Sequence, residues 1–414
     1  MRILIVSQYF WPETFRINDL VKELVERGHD VSVLTGKPNY PQGKIYKGYG
    51  GFSHNRDEFY GAKVYRVPII PRGKGTGLQL VLNYLSYVVA ASAFIAFNRK
   101  KFDVSLTFAI SPITQIYPAL LHKRLYKSRA YLWVQDLWPE SVTAAGKMSS
   151  PIILNRLTKM VKSIYEKTDG ILLQSEAFIP SIMQKGNFKD KIQYVPNWAE
   201  DLFTQPLEGA QDKYKSILPK GFLVMFAGNI GEAQDFESIV NAAEKIRGIK
   251  DIKWVVVGDG RKKDWVEKEI KKRGLSDTIY LLGRYPLEEM PHFFNRADVL
   301  LLTLRNEEIF SLTIPSKVQS YLAFGKPIVS MINGISNKII NDAKCGFTAI
   351  AGDSDKLAEN IVKAFYTPKE TLNQLGMNGK AFYINEFDKK VIINRLEGIF
   401  KNNANFINLK RDIK

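Results

Sequence analysis

Apolar residues along this chain fall into two rhythms: short unbroken runs of strand length, and longer stretches in which they recur at helical spacing. Residues 2–7 are a run of the first kind. Asn18 to Arg27 then places Leu20, Val21, Leu24 and Val25 on one helical face, Gly28-His29-Asp30 breaks it, and Val31 to Leu34 is a second run. Strand, helix, strand predicts a parallel βαβ opening. Further buried strands are predicted at 63–67, 103–108, 130–134, 170–174 and 192–195, with helical patterns between most of them. A polar stretch over 201–220, punctuated by Pro206, Gly209 and Pro219, reads as a linker. The pattern restarts at Phe222 to Ala227 and continues through strands at 252–257, 278–282, 298–303, 327–331 and 347–350. Helices are predicted at 235–246, 263–273, 315–324, 353–366 and 369–384. The expected fold is α/β, with two doubly wound Rossmann-like domains over 1–200 and 221–386. In the terminal segment 387–414, a helix near 388–401 is expected to cross back to the first domain. Open sheets of this type bind ligands at the carboxyl ends of their strands, and two facing each other make a cleft.

Residues 78–97 depart from this pattern, carrying no charge over the length a membrane span needs. Arg72 and Lys74 precede the stretch, and Arg99, Lys100 and Lys101 follow it. A true span would put strands of one sheet on opposite sides of a bilayer, so the helix does not cross. It is either a buried crossover helix, apolar all round, or a helix lying in the membrane interface between basic flanks.

A length of 414 residues agrees with two domains, and 45% hydrophobic content excludes a disordered chain. The net charge of +17 calls for an anionic partner, whether nucleotide phosphate, lipid headgroup or nucleic acid. Residues 1–200 hold 27 basic and 15 acidic side chains, so most of the excess lies there and that half is expected to meet the larger anion. The single Cys345 excludes an internal disulfide, and His29, His54, His122 and His292 lack ligand spacing, so no metal is expected. The apolar start is too short for a secretory signal, which points to the cytoplasm.

Candidate chemistry clusters at strand ends. Gly228, Asn229, Gly231 and Gln234 join a strand to a helix, where glycines let N–H groups and a positive helix end approach a phosphate. Gly258 ends the next strand, and Arg284 and Tyr285 follow a third. Ser311, Thr313, Ser316 and Lys317 surround a helix start at Pro315 and would make an anion site, or an ordinary capped helix. In the first half, Glu13, Arg16 and Asn18 follow the first strand, and Asp136, Trp138 and Glu140 follow another. Aromatic rings beside carboxylates suit a sugar. The same residues could equally be core and helix caps.

The phrases Arg27 to Thr35, Lys37 to Pro41, Gln135 to Ser141, Val195 to Asn197, Gly228 to Gly231, Val257 to Gly260 and Pro315 to Pro327 together resemble a GT-B glycosyltransferase of family 4 over nearly the whole length. Within it the chain is most similar to the L-fucosamine transferase (WbuB-like) group of O-antigen and capsule synthesis. The resemblance implies a UDP-linked N-acetylated hexosamine donor, N-acetyl-L-fucosamine or a relative. It also implies a polyprenyl-diphosphate-linked acceptor, retention at the anomeric carbon and no metal or other cofactor. The chain departs from the family at four positions. The usual Arg and Lys of the diphosphate clamp are Asn229 and Gln234 here, and the usual paired glutamates are Leu312 and Ser320. Arg284, Lys317 and N–H groups of 311–317 are expected to replace the clamp, with Gln319 or Ser320 reaching the ribose. Asp136 falls where many relatives place a histidine near the transferred sugar, and is expected with Glu140 to be catalytic.

The reading is a retaining glycosyltransferase, peripheral on the inner face of a bacterial plasma membrane. Its second domain holds the donor, its first takes the acceptor, and closure excludes water. The diphosphate leaving group is stabilised electrostatically, and no protein nucleophile is assigned. A UDP-sugar 2-epimerase of the same architecture and a basic nucleic-acid-binding protein remain as alternatives.

Overall fold

A computed structural model describes residues 1–51, 53–144, 150–207 and 214–401. Eight strands form the first sheet: β1 (Arg2–Val6), β2 (Asp30–Gly36), β3 (Arg56–Phe59), β4 (Ala62–Val67), β5 (Val104–Ala109), β6 (Arg129–Val134), β7 (Gly170–Leu173) and β8 (Ile192–Tyr194). They lie in the order β3-β4-β2-β1-β5-β6-β7-β8, all parallel except β3, which pairs antiparallel with β4. Its sequence, Arg56-Asp-Glu-Phe59, is polar and short, as suits an edge, and gave no apolar run to predict it. The helices of this unit are α1 (Arg16–Glu26), α2 (Gly77–Phe97), α3 (Tyr117–Tyr126), α4 (Glu140–Ala144), α5 (Pro151–Lys167) and α6 (Ile179–Lys185). Every residue of β5 is buried, the mark of a parallel strand covered on both faces.

The second sheet orders six strands as β11-β10-β9-β12-β13-β14, with all its pairs parallel. They are β9 (Phe222–Ala227), β10 (Ile252–Val257), β11 (Ile279–Gly283), β12 (Val299–Thr303), β13 (Ile328–Met331) and β14 (Gly346–Ala349). Its helices are α7 (Phe236–Lys245), α8 (Lys263–Lys272), α9 (Met290–Arg296), α10 (Glu308–Leu312), α11 (Ser316–Phe324), α12 (Ile335–Asp342), α13 (Ser354–Tyr366) and α14 (Lys369–Glu386). Alternation along β9 divides the core. Leu223, Met225 and Ala227 join one apolar cluster, Val224 and Phe226 the other, so one strand anchors helices on both faces. Truncating a residue at this centre, such as Leu300→Ala, costs about 2–5 kcal/mol.

The chain divides into Met1–Val195 with Ile393 onward, and Pro196–Ile392. The stretch expected to be a linker belongs to the second unit where it is described: Phe203 and Leu218 are buried in its core, and Phe203 stacks on Phe294 at 5.3 Å. Residues 208–213 lie outside the described ones. The last helix, α15 (Lys389–Phe400), joins the first unit from Ile393. There Arg27 Nη1 meets Glu397 Oε2 at 3.1 Å and His29 Nε2 meets Glu397 Oε1 at 2.6 Å.

The apolar helix α2 is not a core helix. Leu80, Asn83, Tyr87, Ala91 and Ile95 form one buried stripe, while Leu78, Val81, Leu82, Leu85 and Val89 are exposed. Polar bonds pin the inward stripe. Asn83 Oδ1 accepts from Gln8 Nε2 at 2.7 Å, Asn83 Nδ2 donates to the Ile70 carbonyl at 2.6 Å, and the Tyr87 hydroxyl donates to the Leu34 carbonyl at 3.0 Å. The crossover thus rests on the sheet by one face only, so of the two readings of this helix the one buried all round is not what is seen.

Candidate active site

In the second unit the carboxyl ends of β9 and β10 run into loops that touch backbone to backbone. Gly228 has φ +139°, and a Cβ at Gly258 would lie 1.8 Å from the Gly228 carbonyl oxygen, so neither tolerates a side chain. Several N–H groups of these loops are spent on neighbouring loops: Gly228 N–H donates to Val257, Ile230 N–H to Asp259 and Gly258 N–H to Gly283, at 2.8–2.9 Å. Gln234 Oε1 accepts from the Gly231 N–H at 3.2 Å and from Asn229 Nδ2 at 3.5 Å. These glycines and amides therefore bind the strand-end loops to one another.

The positive group is instead Lys317, in the first turn of α11. Its side chain is half-buried, with the ammonium 3.6 Å from the centroid of the Phe226 ring and packed over Gly228, where a Cβ would sit 2.7 Å from its Cε. It has no ion pair or hydrogen bond among the described residues. Desolvation pushes its pKa down to about 7. An ammonium held against a ring face, with no anion beside it among the described residues, is free to receive one. Arg284 is exposed on the loop after β11, while Tyr285 packs against Phe293 at 4.8 Å and Tyr214 at 5.4 Å.

Around Lys317, Ser311 Oγ donates to the Glu308 carbonyl and Thr313 Oγ1 to that of Ile309, both closing α10, and Ser316 is exposed. Gln319 is wholly buried and its amide nitrogen turns back onto the Pro315 carbonyl at 3.0 Å, so it does not reach outward. Ser320 differs. Its hydroxyl lies 3.2 Å from Glu200 Oε2 and 3.1 Å from the Ser316 carbonyl. Glu200 thus supplies a carboxylate beside the position where the resemblance led to the expectation of one. Sequence reasoning missed it because 120 residues separate the pair. It also missed Arg305 and Lys262, which grip the two oxygens of Glu232 at 2.9 and 2.7 Å beside Gly231. Arg305 follows β12 as Gly228 follows β9, so the strand-end rule could have found it.

In the first unit, Asp136 follows β6. Its Oδ2 accepts from the backbone N–H and the hydroxyl of Ser111, each at 2.8 Å, and Oδ1 has no donor among the described residues. Trp138 Nε1 donates to the same Ser111 Oγ at 3.1 Å. Tyr84 of α2 lies within the fields of both Asp136 and Arg72, whose charges act on its hydroxyl in opposite senses. The Arg72 guanidinium lies 4.9 Å from the centroid of the Tyr40 ring. Neither Arg72 nor Tyr84 was predicted as a site residue.

The other expected residues hold loops. Glu13 is buried and accepts from the N–H groups of Phe10, Asn39 and Tyr40 at 2.6–3.2 Å, stapling the loops after β1 and β2. Burial pushes its carboxyl up to about 7 against the pull of those donors. Asn18 braces the same loop through the Trp11 N–H and the Glu13 carbonyl, and Arg16 pairs with Asp19 at 3.0 Å. Glu140, expected to be catalytic, has Oε1 bound by Lys185 Nζ at 2.6 Å and Ser181 Oγ at 2.5 Å, with Oε2 buried. Lys185 and Ser181 of α6 thus tie down α4 through Glu140.

Residues 14–198 match the family described as glycosyl transferase 4-like domain, and 210–382 match glycosyl transferases group 1. The chain is a glycosyltransferase. Its fold is GT-B: the sucrose-phosphate synthase of Thermosynechococcus elongatus superposes with a TM-score of 0.74 at 15% identity, over 97% of this chain and 98% of that one. Anabaena HepE in complex with UDP-glucose gives 0.67 at 15% identity, over 97% and 100%. Among curated proteins, this glycosyltransferase is 25% identical over 340 residues to WcaI of Escherichia coli K12, a glycosyl transferase assigned to colanic acid biosynthesis, covering 78% of this chain and 82% of the relative. It is 29% identical over 238 residues to WbjE of Pseudomonas aeruginosa, named a glycosyltransferase, over 56% and 58%. The named relatives are transferases, which does not favour the epimerase or nucleic-acid readings.

Proposed function

We propose that this glycosyltransferase moves a sugar from a UDP-sugar to a polyprenyl-diphosphate-linked saccharide during bacterial surface polysaccharide synthesis, with retention at the anomeric carbon and without a metal. The observation that carries the reading is Lys317, a half-buried ammonium with no anionic partner among the described residues, at the carboxyl edge of a doubly wound sheet. It receives the donor diphosphate, and as the anomeric C–O bond breaks it stabilises the charge that develops on the departing UDP. Glu200 and Ser320 take the ribose hydroxyls. Asp136, fixed by Ser111 through one oxygen, uses the other to orient an acceptor hydroxyl. Anabaena HepE, solved with UDP and with UDP-glucose, supports UDP, and WcaI and the Escherichia coli O-antigen chain mannosyltransferase C support a polysaccharide role. The resemblance to the WbuB-like group supports N-acetyl-L-fucosamine or a related N-acetylated hexosamine as the sugar, and the inner face of the plasma membrane as the place of work.

The test is a thermal-shift screen over nucleotide sugars, followed by transfer of the labelled sugar from the best ligand to a polyprenyl-diphosphate saccharide. Label that moves into the organic phase is the expected result. A stabilising ligand that is not a uridine nucleotide, or label recovered only as an isomerised nucleotide sugar, would overturn the reading.

A further inference from the structure

Among the described residues, the outward face of α2 is an apolar surface that neither fold nor transfer explains. A crossover helix on a solvated sheet carries polar side chains outward. Here Leu78, Val81, Leu82, Leu85, Val89, Ala93 and Phe97 follow one another at helical spacing, exposed along the length of α2. Leu78 keeps 72% of its surface in solvent, Val89 68% and Phe97 87%. Over its 21 residues such a stripe is about 30 Å long.

The charge around this stripe says what covers it. From Phe59 to Gln135 the sequence holds eleven Lys and Arg and one acid, Asp103, and that acid is paired with Arg2 at 2.7 Å. Lys74 lies just before the helix and Arg99 and Lys101 just after it, and α3, packed against α2, brings Arg124 and Lys127. All five are exposed and have no ion-pair partner among the described residues. A second protein copy would bring the same excess of positive charge against itself, whereas an anionic headgroup layer neutralises it while acyl chains take the apolar stripe.

We propose that α2 docks flat onto an anionic lipid bilayer, with its Leu78–Phe97 stripe in the interface and Lys74, Arg99 and Lys101 in the headgroup layer. The inward bonds of Asn83 and Tyr87 hold the helix to the sheet and prevent it from crossing. Docked so, the amino-terminal end of α2 brings Arg72 and Tyr84 to the membrane surface, where the diphosphate of a lipid-linked acceptor lies. This placement deepens the proposed acceptor, but the docking itself does not depend on it.

The test uses the full chain and vesicles that contain no glycolipid. Wild type is expected to sediment with phosphatidylcholine vesicles containing about one part in three phosphatidylglycerol, and at least ~10-fold less with pure phosphatidylcholine. The variant Leu85→Glu/Val89→Glu, at exposed positions, is expected to lose at least ~10-fold in vesicle binding with its melting and UDP affinity unchanged, as is Arg99→Glu/Lys101→Glu. Wild-type-like sedimentation of both variants would overturn the proposal. So would a lipid-free wild-type dimer, seen by analytical ultracentrifugation, that Leu85→Glu/Val89→Glu converts to monomer. Failure of the docking leaves transfer to a detergent-dispersed acceptor intact, whereas failure of the functional reading abolishes that transfer in wild type with vesicle binding preserved.

Discussion

Replacing Lys317 by Met keeps the length of the side chain and removes its charge, and it should make the protein more stable and a poorer nucleotide binder at once. Lowering the pKa from 10.5 to about 7 means that charging Lys317 in the ligand-free protein costs on the order of 5 kcal/mol, at about 1.4 kcal/mol per pH unit. Below pH 7 the side chain is charged in both folded and unfolded states and the full penalty applies. Between pH 7 and 10.5 the folded state binds fewer protons than the unfolded one, so wild-type stability rises with pH. Above that range the penalty is gone. Lys317→Met should therefore melt higher than wild type at pH 6, by at least about 2–4 °C for each kcal/mol recovered in a domain of this size, and the gap should close as the pH approaches 10. Binding has the opposite dependence. A diphosphate beside Lys317 favours the ammonium, so UDP should bind with net proton uptake at pH 8, read by calorimetry in buffers of different ionisation enthalpy. Loss of one charge-assisted contact, about 1.5–3 kcal/mol, should weaken UDP roughly 10- to 100-fold. Unchanged UDP affinity in the variant, or binding at pH 8 without proton uptake, would refute the assignment. A variant that melts lower at pH 6 would show that the Phe226 ring contact outweighs the desolvation.

Asp136→Asn should keep the Ser111 loop largely in place yet lower the transfer rate at least ~100-fold with UDP affinity unchanged; near-wild-type turnover would remove Asp136 from the chemistry. Glu200→Gln should weaken UDP about 10-fold and remove the preference for UDP over 2′-deoxy-UDP, measured by competition, whereas a retained preference would place the ribose elsewhere. Lys185→Met leaves the half-buried Glu140 carboxylate without its cation and should cost about 1–3 kcal/mol in denaturant unfolding, while the turnover of the folded fraction stays at the wild-type value.

The alternation of buried runs and amphipathic stretches was enough to read both doubly wound sheets, because parallel strands are buried on both faces and their helices on one. What escaped was what periodicity does not encode. Strand β3 is polar and antiparallel, and helix α12 sits between short breaks. Glycines at strand ends were legible as turns but not as turns whose N–H groups are already spent on neighbouring loops. Glu140 and Asp136 looked alike, as carboxylates beside a Trp-Pro turn, and only their partners separate them: a buried lysine for one, a serine and an open oxygen for the other. Lys317 was legible as a cation at a helix start, while its isolation over Phe226 required the fold.

The passage of α15 back to the first unit also sets an order of events during synthesis. Ile393, Leu396, Ile399 and Phe400 are buried, the Tyr131 hydroxyl donates to the Ile399 carbonyl at 3.2 Å, and Arg395 Nη1 donates to that of Tyr194 at 3.0 Å. As residues emerge from the ribosome, the segment Pro196–Ile392 is whole before the first unit has its closing helix. Domains ordinarily finish in the order in which they are made. Here the first begun is the last completed, and until residue 400 is translated the nascent chain carries an uncovered apolar seat for α15 in addition to the bare face of α2.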